Sequence, residues 1–176
     1  FELTKHLLQQ GYRRIAHITS PTHLAMTQER LTGYRRAYGE AGLAVDESLL
    51  KHCAHGGAII AEVEQALDEL FALPQPPDAI LAASDRMTQS SFQYLRRKGK
   101  KIPEDIALAG FSNFNAPELF SPAMTTVVQD AFEMGKRAAV LLIERIEKKH
   151  KSFIPEKIIL PVQLQVRAST QQTIIQ

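Results

Sequence analysis

The sequence predicts an α/β fold: a doubly wound parallel sheet flanked by helices. Short runs of apolar residues alternate along the chain with longer stretches whose apolar residues recur at helical spacing. Because the short runs are apolar at most positions and do not alternate with polar residues, we expect strands that are buried on both faces, and such strands are typical of parallel sheets covered by helices. Glycine and proline separate the two kinds of segment and indicate where elements end.

The composition is that of a folded globular protein. Of 176 residues, 44% are hydrophobic and 23% are charged, close to the globular average. The net charge of +2 is too small to indicate a nucleic-acid surface by itself. A single cysteine, Cys53, excludes an internal disulfide and any zinc site built from several cysteines. No apolar run approaches the roughly 18 residues of a membrane span, so we expect no membrane partner.

The first half of the chain alternates predicted helices and strands. Residues 1–10 carry apolar residues at helical spacing, and Gly11 favours the end of that helix. A second helix places Leu31, Tyr34 and Tyr38 on one face. In chain order, the predicted elements are a helix over 1–10, a strand over 15–18, a helix over 27–41, a weak strand at 49–53 and a helix over 60–71 that ends before Pro74.

The second half repeats this alternation and closes with extended segments. Ser84 and Asp85 follow an apolar strand and begin a helix that Gly99 ends. A second apolar strand is followed by a loop instead of a helix. The predicted elements are a strand over 79–83, the helix after it, a strand over 106–111, a loop over 112–117, a strand over 125–128, a helix over 131–149 and strands over 158–160 and 164–166 on either side of Pro161.

The carboxyl ends of the predicted strands are where a ligand should bind, because loops and helix N-termini meet there in sheets of this kind. The loops selected by this rule are 20–28, 52–57, 84–85 and 112–118. His52 and His55 could approach a metal in one of them. The six histidines show no metal-ligand spacing, however, so ordinary loop histidines are the favoured interpretation.

A nucleophile elbow is the one catalytic motif that the sequence approaches. Residues 110–114 begin like G-x-S-x-G, but Phe114 stands where the second glycine must allow a strained turn. We therefore expect no catalytic residue, no metal and no cofactor, and a protein that is not an enzyme.

Arg30 lies on the first helix after the loop 20–28 and admits two interpretations. Its guanidinium can offer paired donors to the hydroxyls or the carboxylate of a ligand near the strand ends. Alternatively, it is a partly exposed arginine paired with Glu29 or another helix charge. The spacing alone favours neither.

Five motifs in a fixed order resemble one known family. They are HLLQQGYRRIAHI at 6–18, RLTGY at 30–34, ILAASDRM at 80–87, IPEDIALAGF at 102–111, and PAMTTV at 122–127 with Met134-Gly135. The family is the lactose-repressor/galactose-repressor (LacI/GalR) group of bacterial transcription regulators. The chain resembles its C-terminal effector-binding domain, which has the periplasmic-binding-protein-like type I fold. Nothing in the sequence resembles the helix-turn-helix module of the family.

The resemblance implies a two-lobed arrangement in a cytoplasmic homodimer. It assigns residues 1–10 to the end of the first lobe and residues 11–128 to the second lobe. Residues 129–160 would return to the first lobe, and residues 161–176 would form a strand and tail on the second. First-lobe segments would then lack their sheet partners here, and the apolar face of the helix over 131–149 would need cover from the rest of the protein or from a second copy.

The resemblance also implies a function and a set of binding residues. A small effector of the sugar or purine class would bind between the lobes and modulate operator binding by the absent helix-turn-helix. Arg30 matches the ligand-contacting arginine of the family. The other candidates are Ser84, where many relatives have Asn; Asp85, the acid that follows; Ser112, where sugar-binding relatives have Asp; Asn113, which could substitute for it; and Phe111 with Phe114, which could stack on a ring.

A solute-binding protein of a sugar transporter is the alternative on the same fold. It would share the cleft but not the coupling to DNA. An α/β enzyme acting on a sugar or nucleotide is a third possibility, and it would need a nucleophile and a base that the sequence does not supply.

Overall fold

The helices and strands follow one another in the predicted order. The computed structural model describes residues 1–114, 117–147 and 155–171. The elements are α1 (Glu2–Gln9), β1 (Ile15–Thr19), α2 (Ala25–Glu40), β2 (Leu50–His52), α3 (Ile60–Phe71), β3 (Ala79–Ala82), α4 (Asp85–Arg97), β4 (Ala107–Phe111), β5 (Thr125–Gln129), α5 (Ala131–Glu147) and β6 (Val162–Gln165). Residues 115–116 of the predicted loop, residues 148–149 of the predicted last helix and residues 172–176 of the predicted tail lie outside the described residues.

The strands form one sheet in the order β2-β1-β3-β4-β5-β6. The first five strands are parallel, which confirms the predicted fold class. β6 differs, because it pairs antiparallel with β5, with Val127 opposite Leu164. β6 is an edge strand, and its residues are exposed or half-buried.

Each face of the sheet is covered by a pair of helices. The side chains of β1 alternate between the faces: Ile15 packs with α1 and α2, and Ala16 and Ile18 pack with α3 and α4. Leu67 and Leu95 are fully buried on the α3/α4 side. This two-layer covering is why the central strands could be recognised as continuous apolar runs.

α1 packs onto the sheet through its apolar stripe. Leu3, Leu7 and Leu8 are buried in the same cluster as Ile15, and α1 also contacts α2. The expectation that residues 1–10 would lack sheet partners is therefore wrong, because their apolar face is covered within this chain. The assignment of residues to two lobes stays a prediction.

α5 behaves in the opposite way and has no buried residue. Phe132 is 81% exposed, and Val140, Leu142, Ile143 and Ile146 are exposed as well. No described helix is both long and apolar enough to cross a bilayer.

The predicted strand over 158–160 is wrong. The segment from 155 to 161 is irregular, and Ile159 is 78% exposed. β6 begins only after Pro161, whose missing N–H cannot join a ladder.

Candidate functional site

A cavity of about 430 Å³ lies at the carboxyl ends of the strands, beneath the N-terminal end of α1 and the middle of α2. The side chains at its walls are mainly apolar or aromatic, with a few polar groups among them. They belong to Phe1, Glu2, Leu3, Thr4, His17, Met26, Glu29, Arg30, Tyr34, Leu81, Ala83, Phe111, Val127, Gln129 and Val162, and Gly33 completes the lining. An apolar cavity with a small number of convergent polar groups is the usual form of a small-molecule site.

Arg30 is positioned in this cavity by a carbonyl and a ring. Its Nη1 donates a hydrogen bond to the carbonyl oxygen of Ala83, the residue after β3. Its guanidinium carbon lies 4.1 Å from the centre of the Phe111 ring at the end of β4. Glu29 forms an ion pair with Lys157 at 3.5 Å instead of with Arg30. The half-buried Arg30 thus keeps N–H donors that a ligand can use. Burial lowers the pKa of its guanidinium.

Asp85, Ser112 and Asn113 form a second cluster immediately beside Phe111. The Ser112 hydroxyl donates a hydrogen bond to the Asp85 carboxylate. The backbone N–H of Asn113 donates to the same carboxylate oxygen at 2.8 Å. Asp85 is the first residue of α4, where the helix dipole favours a negative charge. The carboxylate therefore ties the end of β4 to the start of α4.

Ser84 caps α4 in the way that its residue type predicts. Its Oγ accepts a hydrogen bond from the backbone N–H of Met87 at 3.3 Å. The cap turns the chain sharply at the end of β3, and this turn brings the Asp85 carboxylate over the end of β4. Ser84 is half-buried, and one of its hydrogen-bonding positions is occupied by the cap.

Asn113 connects the ends of β4 and β5. Its Nδ2 donates to the carbonyl oxygen of Gln129 at 2.9 Å, and the Gln129 N–H donates to its Oδ1 at 2.9 Å. The side chain thus fixes the backbone at the last residue of β5, just before the chain leaves the sheet for α5.

Phe111 and Phe114 lie in different parts of the structure. Phe111 lines the cavity under Arg30, whereas Phe114 packs against Phe120, with 4.8 Å between the ring centres. Phe114 lies in a different groove, on the outer side of α4. The structure therefore brings Phe111, but not Phe114, to the wall of the cavity.

His17 is a cavity residue that the sequence reasoning missed. It lies on β1, is 1% exposed, and stacks on Tyr34 with 5.4 Å between ring centres. Its Nδ1 is 3.2 Å from the carbonyl oxygen of Leu81. Burial lowers the pKa of His17 to about 4, and Arg30 adds to the effect. A single histidine within an apolar strand that ends at the ligand-binding edge is the signal that could have identified it.

The loop histidines do not converge on a metal. Nδ1 of His55 lies 2.5 Å from a carboxylate oxygen of Glu62, and Nδ1 of His52 lies 3.0 Å from the carbonyl oxygen of Ser20. Within the described ranges, no group of three or more potential metal ligands occurs. The chemistry that the site offers is hydrogen bonding and ring stacking, as in a binding site.

Comparison with known proteins relates this geometry to a family. Residues 4–170 match the model of the periplasmic binding protein-like domain. The chain is 35% identical over 168 residues to the HTH-type transcriptional regulator CelR of Thermobifida fusca, covering 96% of this chain and 48% of CelR. It is 32% identical over 150 residues to the HTH-type transcriptional repressor CytR of Escherichia coli K12, covering 85% of this chain and 43% of CytR. The chain thus spans about half the length of the curated relatives it matches.

Solved structures of LacI-family regulators also resemble this chain. The CelR–cellobiose complex superposes with a TM-score of 0.80 at 35% identity, covering 94% of this chain and 49% of CelR. A LacI family regulator from Enterococcus faecium with bound ribose gives a TM-score of 0.81 at 27% identity, covering 96% of this chain and 60% of the regulator. The chain therefore belongs to the periplasmic binding protein-like domain family, in the form found in LacI-family transcription regulators.

Proposed function

We propose that this chain is the effector-sensing domain of a transcription repressor and binds a small metabolite of the sugar or purine class. The observation that carries the proposal is the position of Arg30, half-buried in the cavity at the strand ends and stacked on Phe111. A guanidinium above an aromatic wall suits a neutral ring ligand that has hydrogen-bond acceptors. CelR and the Enterococcus regulator, whose structures contain cellobiose and ribose, support the class.

In this proposal the candidate residues have two kinds of role. Arg30 and Phe111 contact the ligand directly from the cavity wall. Ser84, Asp85, Ser112 and Asn113 shape the rim, where the remaining acceptor positions of the Asp85 carboxylate and the Ser112 oxygen can reach ligand hydroxyls. The list of ligand-contacting residues stays a prediction.

The coupling of ligand binding to DNA affinity would begin at Ser112 and Asn113 on the rim of the cavity. Asn113 holds the backbone of Gln129, and the resemblance predicts that the chain passes to the other lobe near Gln129. A ligand that contacts Ser112 and Asn113 would therefore stabilise one orientation of that crossover. Differential binding to two orientations is what allows a ligand to shift operator affinity.

The remaining parts of the proposal concern partners. A cytoplasmic homodimer would bind operator DNA through a helix-turn-helix, and the regulator names of the relatives support this. The same relatives favour a repressor over the transporter alternative. A role without catalysis is consistent with them, because they are transcription regulators.

Isothermal titration calorimetry tests the proposal, with D-ribose, cellobiose, D-glucose, hypoxanthine and adenosine as probes. We expect one probe to bind, and Arg30→Ala to weaken its binding by about tenfold or more, because a charged donor is lost. Arg35→Ala is the matched control, since Arg35 lies on the same helix but pairs with Glu47 at the surface. The proposal would be contradicted if no probe binds, if the Arg30→Ala protein binds the probe as tightly as the wild type does, or if the protein turns a probe over.

A further inference from the structure

The cavity contains two buried polar atoms that lack partners in the described part of the chain. They are Nε2 of His17 and Oγ1 of Thr4. Both side chains line the cavity together with Arg30 and Phe111. Buried polar atoms nearly always have a hydrogen-bond partner, because an unpaired one destabilises the fold. Both atoms therefore have hydrogen-bonding capacity that the described residues do not use.

The contacts of His17 determine what kind of atom it offers. Its Nδ1 faces the carbonyl oxygen of Leu81, which can only accept, so Nδ1 carries the proton and donates. The second ring nitrogen of a neutral imidazole is then an acceptor. Because burial lowers the pKa of His17 to about 4, the ring is neutral near pH 7. Nε2 is therefore a lone-pair acceptor.

The direction of Nε2 follows from its place on β1. Side chains of a strand project out of the sheet, and Nε2 lies at the far end of the ring from the Cβ. The ring is nearly parallel to that of Tyr34, with 14° between their planes, and this stacking restrains it. The ring that carries Nε2 is therefore held in a fixed position at the wall of the cavity.

The carboxylates around the cavity do not compete with Nε2 as buried acceptors for a donor group of the ligand. Glu2 and Glu29 are exposed, and Glu29 is paired with Lys157. Arg30 is the half-buried charge of the cavity wall, and it supplies donors only. A ligand in the cavity therefore meets donors at Arg30 and an acceptor at His17.

We propose that His17 is a specificity-determining residue of the effector site, and that its Nε2 accepts a hydrogen bond from an O–H or N–H group of a neutral ring ligand. Thr4 Oγ1 exchanges a further hydrogen bond with the same ligand. The inference rests on the proposed function, since it concerns the same cavity. A sugar would supply a hydroxyl and a nucleobase would supply a ring N–H.

The test compares ligands with and without the donor, by calorimetry on the protein at its full natural length. D-Ribose, cellobiose and hypoxanthine are the probes, and the one that binds is compared with its single-deoxy or N-methyl analogues. We expect one analogue to bind about tenfold or more weakly to the wild type, because it leaves Nε2 unpaired. In the His17→Phe protein, which keeps a ring against Tyr34, the probe and that analogue should bind within about twofold of each other.

Ser91→Ala is the matched control. The Ser91 hydroxyl is also buried and without a partner among the described residues, but it lies on α4 and does not line this cavity. The control protein should discriminate between the probe and its analogue as the wild type does.

The outcomes separate this inference from the proposed function. Equal discrimination by the wild type and the His17→Phe protein overturns the inference and leaves the effector site intact. Failure of every probe to bind overturns both. If His17→Phe does not fold, the ¹⁵N resonance of His17 Nε2 in the wild type decides: it should move when the bound probe is added, and an unmoved resonance overturns the inference.

Discussion

At the scale of single residues, the site depends on side chains whose charge or polarity is only partly satisfied by the protein. Arg30 bonds to one carbonyl and stacks on Phe111, so it is held in place while most of its donors stay available. His17 bonds through Nδ1 and stacks on Tyr34, with its second nitrogen unpaired within the described ranges. Rigid groups with remaining hydrogen-bonding capacity are what a preorganised binding site needs.

Burial of His17 should make the stability of the fold depend on pH. Above pH 6.5 the imidazole of His17 is neutral in both the folded and the unfolded protein. Below pH 6.5 the unfolded protein binds a proton at this ring, whereas the folded protein does so only near pH 4. The free energy of unfolding should therefore fall by about 3 kcal/mol from this residue as pH drops from 6.5 to 4. Urea unfolding at a series of pH values measures it.

His17→Phe provides the comparison for that titration. Its unfolding free energy should decline less over the same interval, and the remaining slope should include His6, whose pKa is also lowered by burial. Arg30 and His52 act on His17 in the same direction as burial, so they do not reverse the sign. Parallel pH profiles for the two proteins would contradict the buried neutral imidazole.

The two cavity residues differ in how far the sequence predicted them. Arg30 stands in a motif of the resembled family and near the strand ends, so both arguments selected it. His17 stands between Ala16 and Ile18 in an apolar run, where hydrophobic periodicity indicates only a buried strand. Which of its two nitrogens lacks a partner depends on the register of β1 against β3, which places His17 opposite Leu81 and which a single sequence does not contain.

At the scale of secondary-structure elements, β4 and α4 approach closely enough to need a glycine. A Cβ built on Gly110 would collide with the side chain of Thr88. Thr88 cannot easily move, because it is fully buried and its hydroxyl donates to the carbonyl oxygen of Ser84 at 2.8 Å. This contact brings α4, and with it Asp85, against the end of β4.

Gly110→Ala should destabilise the fold by about 1–3 kcal/mol, as overpacking of a core does. Gly39→Ala is the matched substitution, since nothing surrounds Gly39 on α2 and alanine should stabilise that helix by about 0.5–1 kcal/mol. Urea unfolding followed by circular dichroism measures both. Adding Thr88→Ala to Gly110→Ala should recover part of the loss; a strictly additive double variant would show that the contact is not the cause.

Elements with strong local signals were predicted well, and weak ones were not. The helix over 60–71 has a clear apolar stripe and prolines behind it, and it is observed at those residues. The strand over 158–160 rests on three apolar residues alone, and the structure leaves that segment irregular. The antiparallel direction of β6 depends on how the chain returns to the sheet after α5, which the apolar pattern does not encode.

At the scale of the whole molecule, α5 is the helix whose apolar face is not covered by the described residues. Its apolar side chains are exposed, whereas those of α1 are covered. We propose that the remaining length of the protein covers α5, as the prediction that residues 129–160 belong to another lobe requires. The curated relatives, of which this chain spans about half, have enough further chain to do so.

Hydrogen exchange tests the cover of α5. In the isolated chain, the amides of residues 131–147 should exchange much faster than those of α3, whose stripe is buried. At full natural length the α5 amides should be protected to a degree similar to α3. Fast exchange of α5 in both proteins would contradict the assignment.

We propose that the homodimer forms through the groove on the outer side of α4, where Arg96 and Arg97 lie beside exposed apolar residues. Leu119 is 84% exposed there, next to the edge-to-face pair of Phe92 and Phe120. Leu119→Asp should convert dimers to monomers in sedimentation velocity, because it replaces an exposed apolar side chain of the proposed contact with a charge. Leu43→Asp, at an exposed apolar residue after α2, should leave the dimer intact. A dimer that survives Leu119→Asp would exclude this surface.

The central claim is that a ligand bound beside Arg30 controls operator binding, and fluorescence anisotropy with labelled operator DNA tests it most directly. The probe that binds in calorimetry should change the operator affinity of the full-length protein by roughly 5–150-fold. Arg30→Ala should keep the ligand-free DNA affinity and lose the response. A bound probe that leaves operator affinity unchanged, or an Arg30→Ala protein that responds like the wild type, would contradict the account.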